Sequence, residues 1–116
     1  VKPVSFPAAN YIFNSNTGNN WMKFSMDAGS LIANHYNGTD FVSITKDYTW
    51  SLGNWYFVTA TYSNTSGREL FVNGQSIGKE PNATVLPSHF ANVIGKIGNS
   101  NSENDDFSGT IDEARV

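Results

Sequence analysis

Apolar residues recur at every second position along most of this chain, and clusters of Gly, Asn, Ser and Asp interrupt them at short intervals. Successive side chains of a β-strand point to opposite faces, so this period predicts strands that bury one face. No segment keeps the period of an amphipathic helix. Turn signals at roughly 8–12-residue spacing between short strands are typical of sandwiches and barrels. The pattern therefore predicts an all-β chain folded as an antiparallel β-sandwich.

Short segments are predicted as strands from this alternation. They cover residues 10–14, 21–27, 30–36, 40–45, 55–63, 68–73, 75–79, 92–98 and 107–116. The segment 55–63 is apolar on both faces, which predicts a central strand. Asn73-Gly74 predicts a two-residue type I′ hairpin turn, because both residues accept positive φ at low steric cost. The last segment is predicted to be a buried strand with two acidic side chains, Asp112 and Glu113, at its middle.

Length and composition exclude several classes of protein. At 116 residues the chain is expected to be one domain that buries about two thirds of its unfolded surface. Seven basic and ten acidic residues give a net charge of -3, and no stretch concentrates Lys or Arg, so nucleic acid is not an expected partner. The chain has no Cys, hence neither a disulfide nor a thiolate metal site. No apolar run approaches the roughly 20 residues that span a bilayer, so no membrane span is expected.

Four groups of residues carry a resemblance to a known family. They are Trp55-x-x-Val58-x-Ala60-x-Tyr62, Leu70-Phe71-Val72-Asn73-Gly74, Ile97-Gly98 and Phe107-x-Gly109-x-Ile111-Asp112-Glu113-x-Arg115. Their order and spacing resemble the laminin-G-like, concanavalin-A-like jelly-roll domains of secreted lectins, pentraxins and carbohydrate-binding modules. The resemblance implies a jelly-roll sandwich. As function it implies a non-catalytic carbohydrate-binding or adhesion module of an extracellular protein, either secreted or on the cell surface.

The two ends of the sequence resemble interior parts of that domain. Val1-Lys2-Pro3 resembles the close of the family's first core strand, and Val116 precedes the residues that usually complete its last strand. We therefore expect one laminin-G-like domain over residues 1–116, as an internal portion of a longer protein. An incomplete first strand would leave a sheet edge unpaired. We expect residues outside this sequence, or a neighbouring chain, to cover that edge, and self-association through sheet edges is one form of such a contact.

The catalytic relatives in this superfold are endo-glucanases, whose site resembles Glu-hydrophobic-Asp-x-x-Glu on one strand, with carboxylates as nucleophile and general acid. Here Thr110 stands in place of the first Glu, and Arg115 is found where the second would fall. The remaining carboxylates, Asp112 and Glu113, are adjacent and face opposite sides of a strand. Neither histidine lies in a Gly-x-Ser-x-Gly setting, and His35 is expected to be a solvated residue at a strand end. We therefore expect no enzymatic activity.

The acidic loop 99–106 is the best candidate for a metal site. Calcium takes about six to eight oxygen ligands, and this loop concentrates carboxylates, amides and hydroxyls. By resemblance to calcium-binding relatives, Asn104, Asp105 and Asp106 are candidate Ca²⁺ ligands, with Asp112 a weaker one. The alternatives are a solvated hairpin for the loop and, for Asp112, a structural role in the buried strand. A carboxylate within such a strand needs a neighbouring arginine or backbone amides as partners.

Aromatic and polar residues in the first half of the chain predict a carbohydrate site. Flat aromatic faces stack on pyranose rings, and amides or carboxylates bind the sugar hydroxyls. The candidate ligand-binding residues, all near predicted loop ends, are Trp21, Tyr36, Asn37, Asp40 and Trp50. They predict a shallow groove for a glycan or a cell-surface polysaccharide.

The competing interpretation is that the tryptophans fill the core. The chain would then be a structural or protein-interaction sandwich without sugar binding. The solvent exposure of Trp21 and Trp50 distinguishes the two interpretations.

Overall fold

The structure, a computed structural model, describes residues 1–6, 10–16, 21–36, 39–63, 65–81, 95–98 and 106–115. The strands in these ranges are β1 (Lys2–Pro3), β2 (Tyr11–Asn16), β3 (Trp21–Met26), β4 (Ser30–Tyr36), β5 (Phe41–Asp47), β6 (Val58–Ser63), β7 (Gly67–Val72), β8 (Gln75–Glu80), β9 (Gly95–Ile97) and β10 (Gly109–Thr110). The described residues form no helix, and so none that is suited to cross a membrane. The predicted all-β class is confirmed.

Antiparallel pairing assembles the strands into two layers. The larger sheet has the order β5-β4-β3-β2-β9, and β6-β7-β8 form a three-stranded sheet. β1 pairs with β10, and main-chain hydrogen bonds of 2.7 Å join Val1 to Tyr56 and Pro3 to Gly53. The short β1-β10 pair is therefore connected to the chain that leads into β6. The predicted antiparallel sandwich is confirmed.

The core lies between the layers and follows the alternation of the strands. In β4, Leu31, Ala33 and His35 are buried, whereas Ile32 and Asn34 between them are half-buried. The buried apolar residues come from both layers and comprise Ile12, Met26, Leu31, Ala33, Ile44, Trp50, Leu70, Val72 and Phe107. Removal of these side chains from water is the main favourable contribution to the stability of such a sandwich.

Two hairpin positions in the three-stranded sheet require a left-handed backbone. Asn73 and Gly74 have φ angles of 52° and 79°, as the type I′ turn predicted between β7 and β8 demands. Gly67, at the start of β7, has a φ of 81°, and a Cβ at this position would collide with the backbone of Glu80. Only glycine lets β7 and β8 approach this closely here.

The prediction of a buried strand over residues 107–116 is wrong for most of its length. Within 106–115 only Gly109–Thr110 form a strand, and residues 112–115 are exposed. Asp112 Oδ1 accepts a 2.9 Å hydrogen bond from the Glu113 amide, and Glu113 has a φ of 50°. A side chain that bonds the adjacent backbone competes with strand pairing. Asp112 is therefore a solvent-facing residue and not the buried carboxylate that the sequence predicts.

Candidate functional site

Three aromatic residues form a row across the outer face of the larger sheet. The register pairs Trp21 of β3 with Tyr36 of β4, and Tyr36 with Phe41 of β5. The centroid of the Trp21 ring lies 6.1 Å from that of Tyr36 and 5.6 Å from that of Phe41. Trp21 and Tyr36 are half-buried, and Phe41 is 61% exposed. We call these three residues the aromatic row.

Strand alternation explains why the aromatic row faces outwards. In β3, Met26 belongs to the core and Phe24 packs against it. Trp21 and Lys23, at the intervening positions, therefore project from the opposite face. An aromatic cluster on the outer face adds little to the core, and exposed apolar patches of this kind mark binding surfaces.

A row of polar side chains lies beside the aromatic row, two positions from it in β3, β4 and β5 and on the same face. Lys23, Asn34 and Ser43 pair across β3, β4 and β5, and Asn14 of β2 pairs with Lys23. Ser43 Oγ donates a 2.6 Å hydrogen bond to Asn34 Oδ1. We call these four residues the polar row. Asn14 is only 3% exposed, so the groups presented beside the ring faces are the Lys23 ammonium, the Asn34 amide and the Ser43 hydroxyl.

Lys23 connects the two rows. Its Nζ atom lies 5.1 Å from the ring centroid of Trp21 and 5.0 Å from that of Tyr11. The same atom donates a 3.5 Å hydrogen bond to the Tyr11 hydroxyl. Attraction between the cation and two ring faces holds the ammonium at the surface of the sheet. An ammonium has three donors, so Lys23 retains donors for a ligand.

The aromatic row contains two of the five residues predicted to bind a ligand, Trp21 and Tyr36. Asp40 is exposed and directly precedes Phe41 at the same end of the sheet. Asn37 lies outside the described residues. Phe41 is not among the residues predicted from the sequence. The short connection from Tyr36 to Phe41 is the signal that pairs them, because a hairpin places the residues that flank its loop opposite each other.

Trp50 does not belong to the aromatic row, which corrects its predicted role in stacking. It is 8% exposed, and its indole Nε1 donates a 3.3 Å hydrogen bond to the carbonyl of Ser30. Its ring centroid lies 4.4 Å from that of Tyr48 and 5.0 Å from that of Tyr56. Trp50 follows β5 in a loop, where strand alternation does not set the direction of a side chain. There it fills the core.

A group of polar side chains is buried on the inner side of the sheet. His35 is 1% exposed, which corrects the expectation of a solvated strand-end residue, and its ring meets the edge of Tyr62 at 5.6 Å. Burial lowers the pKa of His35, and the positive charge of Arg68 lowers it further. Burial raises the pKa of Tyr62 to about 12, although Arg68 opposes this shift. Both rings are therefore neutral near pH 7, and His35 is shielded from an external ligand by its burial.

The candidate calcium ligands are described only in part. Asn104 and Asp105 lie outside the described residues, and Asp106 and Asp112 are exposed. One carboxylate oxygen of Asp112 already accepts the Glu113 amide. Within the described ranges, no group of three His, Cys, Asp or Glu side chains is arranged to hold a metal ion. The described residues alone thus do not supply a calcium site, and the site described above is built without one.

Apart from the outer face, a cavity of about 730 Å³ lies between the two layers. Its lining is mostly apolar and includes Phe13, Met22 and Phe24 of one sheet and Val58, Ala60 and Tyr62 of the other. β6 begins at Val58, three residues later than predicted, and in the described part of the chain it pairs only with β7. The other edge of β6 borders this cavity. Asp112, Glu113 and Arg115 also line this cavity. We nevertheless favour the outer face for a sugar, because the strand register there sets three ring faces directly beside polar side chains.

Comparison with known proteins agrees with the fold. The family model Laminin_G_3, described as the concanavalin A-like lectin/glucanases superfamily, matches residues 1–116. No curated protein and no solved structure gives a significant match. The match covers the whole printed sequence and agrees with the two-layered sandwich.

Proposed function

The chain belongs to the concanavalin A-like lectin/glucanases superfamily, and we propose that it is a non-catalytic carbohydrate-binding or adhesion module. The glycan binds on the outer face of the larger sheet, across the aromatic row and the polar row. One observation carries this proposal. Trp21, Tyr36 and Phe41 lie side by side on a face that the core does not need, directly next to hydrogen-bonding side chains.

The chemistry of the two rows matches that of a sugar. A pyranose ring has an apolar face that stacks on an aromatic ring, and hydroxyl groups at its rim that need donors and acceptors. In the polar row, Asn34 Oδ1 accepts the Ser43 hydroxyl, which leaves the Asn34 amide hydrogens for a ligand. An open face of this kind stays wet, and it gives affinities in the millimolar to micromolar range.

Two further features support a binding module rather than a hydrolase. Thr110 stands where the glucanase motif requires a carboxylate. Asp112 and Glu113 are exposed and follow β10 outside any strand, whereas a glycosidase needs two carboxyl groups that flank one bond. Laminin-G-like domains are commonly extracellular. We therefore propose that the module acts in a secreted or cell-surface protein, with a cell-surface polysaccharide as partner.

A glycan array tests this proposal with a matched pair of variants. Trp21→Ala is expected to weaken binding about tenfold or more, because it removes the largest stacking face. Trp55→Ala is the control, because Trp55 is 52% exposed but precedes β6 in the other layer. Running the array with calcium and with chelator shows whether a metal ion contributes. Silence under both conditions, or normal binding by Trp21→Ala, contradicts the assignment.

A further inference from the structure

Building on the carbohydrate-binding function proposed above, we propose that the outer face selects acidic glycans, whose carboxylate or sulfate groups bind Lys23 and Lys96. Lys23 belongs to the polar row. Lys96 of β9 pairs with Asn14, which in turn pairs with Lys23. The two lysines are therefore in one line across the sheet with a single strand between them.

Lys23 carries a positive charge whose described neighbours are aromatic rings. Within the described ranges, no carboxylate lies within ion-pair distance of its Nζ atom. Lys46, by contrast, forms an ion pair at 3.2 Å with Glu80. The neighbours of Lys23 Nζ are the ring faces of Tyr11 and Trp21, which attract a cation without cancelling its charge. Lys23 thus presents a cation beside the ring on which a sugar would stack.

Lys96 extends this positive region along the sheet. Neighbouring strands lie about 4.8 Å apart, so the Cα atoms of Lys96 and Lys23 are separated by roughly 10 Å. The Lys96 side chain is exposed. The Asn14 side chain between them is 3% exposed, so a polymer that crosses these strands would contact the two ammonium groups and not Asn14. A single small anion would reach only one of the two lysines.

The carboxylates that the structure describes on or beside this sheet lie away from Lys23 and Lys96. Asp27 and Asp47 lie at one end of strands β3 to β5, and the aromatic row lies at the other end. Asp40 adjoins β5, which is the sheet edge furthest from Lys96. An acidic glycan is therefore expected to run from Trp21 towards β9 and away from β5.

Charge pairing gives a preference for acidic over neutral sugars without any change in stacking. A sugar stacked on Trp21 has its substituents beside Lys23 Nζ, which lies 5.1 Å from that ring. A hydrogen bond from an ammonium to an anionic oxygen is about twice as strong as one between neutral groups. Exposed ion pairs contribute modestly, so two of them correspond to a preference of about tenfold at low salt.

Calorimetric titration with a polyuronate and with its carboxyl-reduced, neutral form separates charge from ring shape. The protein is expected to bind the polyuronate about tenfold more tightly at low salt. This preference is expected to shrink as salt is added, because exposed charges are screened. A sulfated form of the neutral polymer, titrated in parallel, distinguishes sulfate from carboxylate recognition.

Lysine variants show whether Lys23 and Lys96 produce the preference for acidic over neutral glycans. The double variant Lys23→Gln with Lys96→Gln is expected to lower the ratio of acidic to neutral affinity to about one, because it removes both ion pairs. Lys23→Arg keeps the charge and is expected to retain the ratio. Lys79→Gln is the matched control, since Lys79 is exposed on β8 of the three-stranded sheet. Circular dichroism confirms that each variant is folded.

Failure of the selectivity for acidic glycans and failure of the proposed function give different results. Equal affinity for the polyuronate and the neutral polymer, or an unchanged ratio in the double variant, overturns the selectivity and leaves the proposed function standing. A shift of the ratio by Lys79→Gln as large as that of the double variant also overturns it, because the effect would then come from net charge. Binding to neither polymer and to no glycan on the array overturns the proposed function itself.

Discussion

Trp21 and Trp50 show how one residue type serves two purposes in this molecule. Trp21 lies in a strand, on the outer face, with its ring beside two other aromatic rings. Trp50 lies in a loop and is buried, with its indole N–H bonded to the carbonyl of Ser30. Both have aromatic neighbours, at 5.6 and 6.1 Å for Trp21 and at 4.4 and 5.0 Å for Trp50. Burial, and not aromatic contact, therefore separates a residue available to a ligand from one that stabilises the core.

The difference also means that the sugar binding proposed for the outer face does not compete with the stability of the core. The core is complete without the aromatic row, since the buried apolar cluster contains none of its three residues. Stability and binding are thus assigned to different tryptophans. The comparison predicts that substitutions in the two regions change different measured quantities.

The largest expected effect is the loss of stability in Trp50→Ala. Removing a buried tryptophan leaves a cavity, so the free energy of unfolding is expected to fall by about 3–5 kcal/mol. Trp21→Ala loses only cross-strand contacts on a half-buried face and is expected to cost about 1 kcal/mol or less. Urea denaturation of the two variants measures both values. Equal losses would show that Trp21 is also part of the core.

A smaller effect is expected from Phe41→Ala, and it concerns binding. Phe41 extends the aromatic row, so its loss is expected to weaken glycan affinity about three- to tenfold. The free energy of unfolding should change little, because the side chain is mostly exposed. Phe57→Ala is the control, since Phe57 is 70% exposed but lies outside the aromatic row. Titration with the best glycan from the array gives both affinities, and a matching loss in Phe57→Ala would contradict the assignment.

The smallest expected effect is on the pH dependence of stability. It distinguishes His35, on the inner face of β4, from Tyr36 on the outer face. The pKa of buried His35 lies below 6.5 in the folded chain, so the unfolded chain binds the proton at higher pH. The stability from neutral His35 is therefore complete above pH 6.5 and is lost as the pH falls through the folded-state pKa. Urea denaturation across this window should show weakening in acid. His35→Gln should remove that part of the slope, while Tyr36→Phe on the outer face should keep it. An identical slope in the wild type and in His35→Gln would contradict this account.

Much of the fold and part of the site are predictable from the sequence. Alternation predicts the sandwich, and the residue types of Asn73-Gly74 predict the turn between β7 and β8, because strand and turn geometry are set locally. The direction of Trp50 is not predictable in this way, since a loop side chain follows the space left in the core. The alternation also continues past β10 into the acidic residues, where the bond from Asp112 to the Glu113 backbone ends the strand.

The indole signals of the three tryptophans test the central claim most directly. Each tryptophan gives one indole N–H peak in a ¹H–¹⁵N correlation spectrum, and single substitutions assign the peaks. On titration with a glycan that the array identifies, the Trp21 peak is predicted to shift to saturation while the Trp50 and Trp55 peaks stay in place. An unmoved Trp21 peak at saturating glycan, or a shift confined to Trp50 or Trp55, would contradict binding on the aromatic row.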